Sequence, residues 1–194
     1  MRLPAILIVG LLAAGCAGPK APGGPPTARQ TKGFVASSDL LWLSEMLSQR
    51  LTISQSIAWS RFSSGRDWPD PEEAAGDLAV LVEQCRRLGL PPSEAKAFFE
   101  IQQQAAAEQE IRLYRKWKKK TDLPDTSALS INGTLRPQLE AVDLQIIATL
   151  VRLQGFPQGK ELRKFFQIQL ENRGFMSSVV RTAVSAFAPR RDQR

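Results

Sequence analysis

"LLWLSEMLSQRLTISQSIAWSRF" (residues 40–62) decides the fold. Leu40, Leu43, Leu47, Leu51 and Ile57 recur at helical spacing, the mark of one long amphipathic helix with an apolar stripe. Ser37 or Ser38 offers its N-cap and "SSGRDW" (63–68) breaks it. Every later periodic segment also repeats at three to four residues, and no stretch alternates with period two for long enough to make a strand. The chain therefore predicts an all-α, single-domain helical bundle of about five to six helices.

The remaining helices follow from their end signals. In "DPEE" (70–73), Asp70 is placed to cap, Pro71 to occupy the first helical position, and Glu72 and Glu73 to sit in the positive first turn; Gly89 should end this helix. "LPPSEAKAFFEIQQQAAAEQEIRLYRKW" (90–117) predicts a long third helix from Ser93 to Lys119, and "TDLPDTSALSING" (121–133) a connecting loop. "TLRPQLEAVDLQIIATLVRL" (134–153) predicts a fourth helix from Thr134, with Pro137 tolerable in the first turn and Gly155 past its end. A last helical region, 159 to 188, should break at Gly174 and bury Leu162, Phe165, Phe166, Leu170, Val180, Val184 and Phe187. There is no internal repeat.

The first residues stand apart from this bundle. Arg2, the apolar "LPAILIVGLLAA" (3–14) and small residues leading to Cys16 read as a cleaved secretory signal, too short to span a bilayer permanently. "LLAAGC" (11–16) resembles the lipobox of bacterial lipoproteins, which makes 1–15 a signal peptide and Cys16 the lipidated first residue of the mature chain. Residues 16–33, rich in Pro and Gly, form a tether with little to bury. The domain then spans 34–190, with a short tail at 191–194. This organisation places the protein in the bacterial periplasm, lipid-anchored to the cell envelope, with the membrane as a partner. The net charge of +7 then carries no nucleic-acid expectation, and "RKWKKK" (115–120) reads as a solvated helix C-terminus.

With Cys16 lipidated, Cys85 has no disulfide partner; it shares a helical face with Leu78, Leu81, Val82 and Leu88 and reads as a buried structural thiol. The chain has no histidine, and so lacks the usual general base and the commonest metal ligand. No cofactor and no metal site are expected; any chemistry must run on arginines and carboxylates.

Those groups lie where apolar residues belong. On an ideal helix Arg50 points about 20° from Leu43, and Arg61 about 20° from Arg50, with their Cα atoms about 16 Å apart. In the third helix, Phe99, Gln102, Ala106, Glu110, Leu113 and Trp117 form one stripe, which puts a carboxylate inside it. Arg136 falls in the first turn of the fourth helix, where unpaired backbone N–H groups favour an anion. Two readings stay open: interhelical ion pairs, Arg50 with Glu110 for instance, or a cationic pocket with one acid for a small dianion.

"LLWLSEMLSQRLTISQSIAWSRF" (40–62), "DPEEAAGDLAVLVEQCRRLGL" (70–90), "FFEIQQQAAAEQEI" (98–111) with Trp117, and "LRPQLEAVDLQII" (135–147) together resemble the exported, gamma-class members of the all-helical chorismate mutase family. The resemblance implies rearrangement of chorismate to prephenate, a pericyclic step without cofactor or covalent intermediate, driven by conformational and electrostatic preorganisation. It implies that Arg50 and Arg136 bind the substrate carboxylates, and that Asp70 lies near the substrate hydroxyl. Arg61 takes the place of a lysine that contacts a carboxylate and the ether oxygen. Glu110 takes the place of the Gln or Glu that hydrogen-bonds that oxygen, and can donate only when protonated. The pattern departs at Glu73, which stands where the family has a substrate-binding arginine, and at Ala106, which replaces a frequent polar residue. Arg66 is a candidate substitute cation. The departure favours, as the alternative, a catalytically impaired relative acting as a small-carboxylate binder or an envelope interaction module. Exported relatives commonly dimerise, which leaves a homodimer open.

Overall fold

The computed structural model describes residues 37–65, 71–119, 123–124 and 127–189, and not the side chains of 71–73. Cys16, the tether, Asp70, Arg66, the tail and the side chain of Glu73 fall outside that description. Six α-helices and no strand occur among the described residues: α1 Ser38–Ser63, α2 Pro71–Arg87, α3 Pro92–Lys118, α4 Arg136–Arg152, α5 Lys160–Glu171 and α6 Ser177–Ala183. A π-helical turn, Ile131–Leu135, leads into α4, and a 3₁₀ turn, Val184–Phe187, closes α6.

Helix ends follow the local chemistry of the sequence. Ser37 caps α1 by accepting from the Leu40 N–H (3.3 Å). At the end of α2, Gly89 adopts φ +81°; its N–H reaches Arg86 O (3.1 Å), and the Leu90 N–H reaches Cys85 O (2.9 Å). That pair of bonds is a Schellman cap, and the buried Leu90 seals it against the core. Gly174, at φ +83°, ends α5 in the same manner, so the break expected there is present. Leu88 departs from expectation: it is 54% exposed although the helical projection grouped it with Cys85. Leu88 is the capping residue between the end of α2 at Arg87 and the turn at Gly89, its N–H still bonded to Gln84 O (3.2 Å).

Three helices make the frame. Contacts between α1 and α3 advance together along both chains, from Arg50 with Gln102 to Trp59 with Trp117, so the two run parallel. Between α1 and α4 they advance in opposite senses, from Asp39 with Arg152 to Arg50 with Asp143, and Ser60 then meets Leu129 just ahead of the π turn, so these helices run antiparallel. Leu43, Met46, Leu47, Leu51, Phe99 and Ile146 are buried between them. The C-terminal region packs across this frame through Phe187, which stacks on Phe166 with ring centroids 4.0 Å apart and meets Phe98 edge-on. All seven core residues expected from 159 to 188 are buried. Cys85 is fully buried, and desolvation pushes its thiol up to about 11, which removes it as a nucleophile.

Candidate functional site

Between α1, α2, α3 and α4 lies a cavity of about 530 Å³, within the range of small-ligand sites. Each wall is a helical stripe of three- and four-residue steps. Arg50, Ser54, Ile57 and Arg61 line it from α1; Asp77, Leu81 and Gln84 from α2; Gln103, Ala106 and Glu110 from α3; Arg136, Glu140 and Asp143 from α4. Ile57, Val80, Leu81, Ile131, Leu139 and Leu144 supply the apolar part of the lining.

Arg50 and Arg61 from α1, Glu110 from α3 and Arg136 from α4, the residues that stood out in the sequence, converge on this one cavity. Asp70 and the Glu73 side chain lie outside the described residues. Ala74, the next residue along α2, lines the cavity.

The deepest guanidinium is that of Arg50, a residue 5% exposed. Its Nε donates to Asp143 Oδ1 (2.8 Å), and its Nη1 donates to the Gln102 carbonyl (3.3 Å). The Gln102 amide donates in turn to Ala183 O (3.0 Å), which ties the arginine's seat to α6. Asp143 is 4% exposed. Burial pushes its carboxyl above the usual range, Arg50 pulls it down, and Glu140 adds a further upward push. The pairing expected as one alternative, Arg50 with Glu110, is not the one formed. Glu110 lies a turn or more further along, where its Oε2 sits 3.7 Å from Arg61 Nη1 and its Oε1 accepts from Ser54 Oγ (3.2 Å).

Trp59, Phe62, Tyr114 and Trp117 form a ring cluster at that end of α1 and α3, with Trp59 and Trp117 centroids 5.3 Å apart. The cluster bolts together the two helix segments that carry Arg61 and Glu110. Arg136 is more open, its Nη2 3.7 Å from Asp77 Oδ2.

The expectation that unpaired amides help Arg136 hold an anion is corrected by the π turn. The Thr134 and Leu135 N–H groups donate to Ser130 O (3.0 and 3.1 Å), and the Arg136 N–H donates to Ile131 O. Pro137 has no N–H to offer. Arg136 therefore contributes through its side chain.

Sequence reasoning missed Asp77, Glu140, Asp143 and Ser54. Asp143 was accessible by the angular argument that found Arg61, since it stands seven residues, or about 20°, from Arg136 on α4. Asp77 stands one turn beyond Glu73. What projection could not give is that each arginine faces a carboxylate: Arg50 with Asp143, Arg61 with Glu110, Arg136 with Asp77.

No protein-family model matches the chain, and no curated protein matches it. Solved structures do. A chorismate mutase from Burkholderia phymatum superposes with TM-score 0.68 at 21% identity, over 76% of this chain and 94% of that one. A chorismate mutase from Burkholderia thailandensis gives 0.68 at 23%, over 78% and 99%. A secreted chorismate mutase from Yersinia pestis gives 0.64 at 15%, over 75% and 94%. The chain has the all-helical fold of these chorismate mutases, over nearly their full length.

Proposed function

We propose that the protein is a chorismate mutase, exported to the bacterial periplasm and held at the envelope by lipid on Cys16. The observation that carries this reading is the convergence of Arg50, Arg61, Glu110 and Arg136 on one cavity of ligand size in a fold shared with chorismate mutases. Guanidinium forks match carboxylates in geometry, and Arg50 and Arg136 are the residues assigned to the two carboxylates of chorismate. Arg61 and Glu110, side by side, are assigned to the ether oxygen, where charge builds as the C–O bond breaks. Holding the compact conformer supplies the rest, and no covalent intermediate, cofactor or metal takes part. Asp70 and Glu73 complete the assignment, the first near the substrate hydroxyl and the second as the altered position.

Loss of chorismate absorbance, followed with purified protein against buffer, tests the proposal. Turnover above buffer that Arg50→Ala or Arg136→Ala abolishes is the expected result. A folded, inactive wild type refutes it.

One observation favours a second reading. Four lining carboxylates, Asp77, Glu110, Glu140 and Asp143, face three guanidiniums among the described residues, an unfavourable balance for a dianion. On that reading the domain binds a small carboxylate without turning it over. Thermal stabilisation by prephenate in the absence of turnover identifies it; absence of both identifies a structural or interaction module.

A further inference from the structure

Asp143 is the feature that neither the resemblance nor the assigned roles account for. It is a carboxylate placed inside the cavity, on the same guanidinium that the proposed function gives to a substrate carboxylate. Resting on that reading of the cavity as a small-dicarboxylate site, we propose that Asp143 is a proton-linked positioning residue. It holds Arg50 when no ligand is bound, and takes up a proton when an anionic ligand claims the guanidinium.

The geometry carries this in three steps. Arg50 Nε is bound to Asp143 Oδ1 at 2.8 Å and one Nη1 hydrogen is turned to the Gln102 carbonyl, which orients the planar fork and leaves its remaining N–H groups for a ligand. A carboxylate bound there lies close to Asp143, and two carboxylates sharing one buried cation cannot both stay ionised without cost. Water offers little relief, because Arg50 and Asp143 are 5% and 4% exposed. Among the described residues, the charged groups that share the cavity with Asp143 are Arg50 and Arg61 from α1, Asp77 from α2, Glu110 from α3, and Arg136 and Glu140 from its own helix. Arg61 stands beside Glu110, and Arg136 beside Asp77. Glu140 opposes ionisation of Asp143, and burial acts in the same direction. Among the described residues it is Arg50 that pulls the carboxyl towards ionisation, so a ligand that competes for Arg50 raises the proton affinity of Asp143.

The sign follows. A ligand-bound state that holds one more proton is favoured as pH falls, so affinity for a permanent dianion rises by up to about tenfold per pH unit. Fumarate is a suitable probe, because it is a dianion throughout about pH 6 to 8 and is not a substrate for rearrangement. Calorimetric titration in two buffers of different ionisation enthalpy reads proton uptake directly on the wild-type protein. The expected result is uptake approaching one proton per site, with tighter binding at the lower pH. Asp143→Asn keeps an acceptor for Arg50 Nε but cannot titrate, and should bind fumarate with no uptake and no pH dependence. Glu140→Gln removes one of the groups that favour protonation of Asp143, and should reduce the uptake without abolishing it.

The proposal is overturned by fumarate binding without proton uptake in the wild type, by uptake that survives in folded Asp143→Asn, or by uptake lost in Glu140→Gln. Absence of fumarate binding at every pH overturns it as well. If Asp143→Asn does not fold, the wild-type and Glu140→Gln titrations decide alone. Failure of the proposed function has a different signature: chorismate is not consumed, while proton-coupled fumarate binding persists.

Discussion

Replacing Arg50 by methionine leaves Asp143 buried at 4% exposure with neither its ion-pair partner nor its 2.8 Å hydrogen bond. Methionine preserves much of the aliphatic stem, so the perturbation falls on charge rather than volume. Breaking one side of a buried pair costs about 3–5 kcal/mol, and the Gln102 carbonyl, which loses the Arg50 Nη1 donor, adds about 1 kcal/mol. Against a typical domain stability of about 5–15 kcal/mol this is a large fraction, easily read by urea denaturation.

The double variant Arg50→Met/Asp143→Leu removes both charges, and is expected within about 2 kcal/mol of wild type, or above it. The cycle isolates the coupling between the two residues. The pH dependence has a fixed sign. Asp143 has a raised folded-state value, so its contribution to stability is fully present below the unfolded value and is lost as pH rises through the folded one. Without Arg50 that folded value rises further, and the deficit of Arg50→Met should be smaller at about pH 5 than at about pH 7. A loss below about 1 kcal/mol in Arg50→Met, or a double variant no better than the sum of the singles, refutes the picture of a desolvated, mutually dependent pair. The double variant also separates scaffold from site: under the proposed function it folds but neither turns over chorismate nor binds fumarate.

Three further outcomes follow from other parts of the molecule. If protonated Glu110 is the donor to the ether oxygen, turnover at saturating chorismate falls as pH rises, and Glu110→Gln, a permanent donor, flattens that profile; an unchanged profile at saturation removes Glu110 from that role. Cys85 should resist thiol alkylation in the native protein at about pH 8 and react fully in denaturant, read by peptide mass mapping. Phe166→Ala, which removes the ring stacked on Phe187, should lower stability by about 3–5 kcal/mol in chemical denaturation, and turnover should fall only in step with the folded fraction.

Much of this architecture was readable because helices advertise themselves locally. Gly89 and Gly174 were legible as helix ends because positive φ favours glycine, and the long stripe of α1 was legible because burial on one face leaves a period. Charges on apolar stripes were legible as anomalies for the same reason, Arg50 and Arg61 on α1 and Glu110 on α3. Pairing was not legible, because a helical projection gives a direction but no partner across the interface: Arg50 meets Asp143 on α4, not Glu110 on α3. The π turn was equally hidden. Its bonds from Thr134, Leu135 and Arg136 depend on where the chain from α3 re-enters, and they withdraw the amide donors that an ordinary helix start would have offered at Arg136.

The charge balance of the cavity turns attention to the start of α2. Glu73 stands where the resemblance implies an arginine, immediately before Ala74, which lines the cavity, and one turn before Asp77, which does too. If the site rearranges chorismate, this position places a negative charge where a substrate carboxylate needs a positive one. Restoring the cation by Glu73→Arg reverses that repulsion and supplies a charge-assisted hydrogen bond, worth about 1.5–3 kcal/mol if desolvated, or about ten- to a hundredfold in kcat/KM. The gain should appear in turnover of chorismate and vanish when Arg50→Ala is added, because one carboxylate anchor cannot fix a dianion in its reactive conformer. A folded Glu73→Arg variant with no gain would show that Glu73 is not the obstacle. The obstacle would then lie among the carboxylates already seated against the guanidiniums, with Asp143, the most deeply buried of them, the next to neutralise.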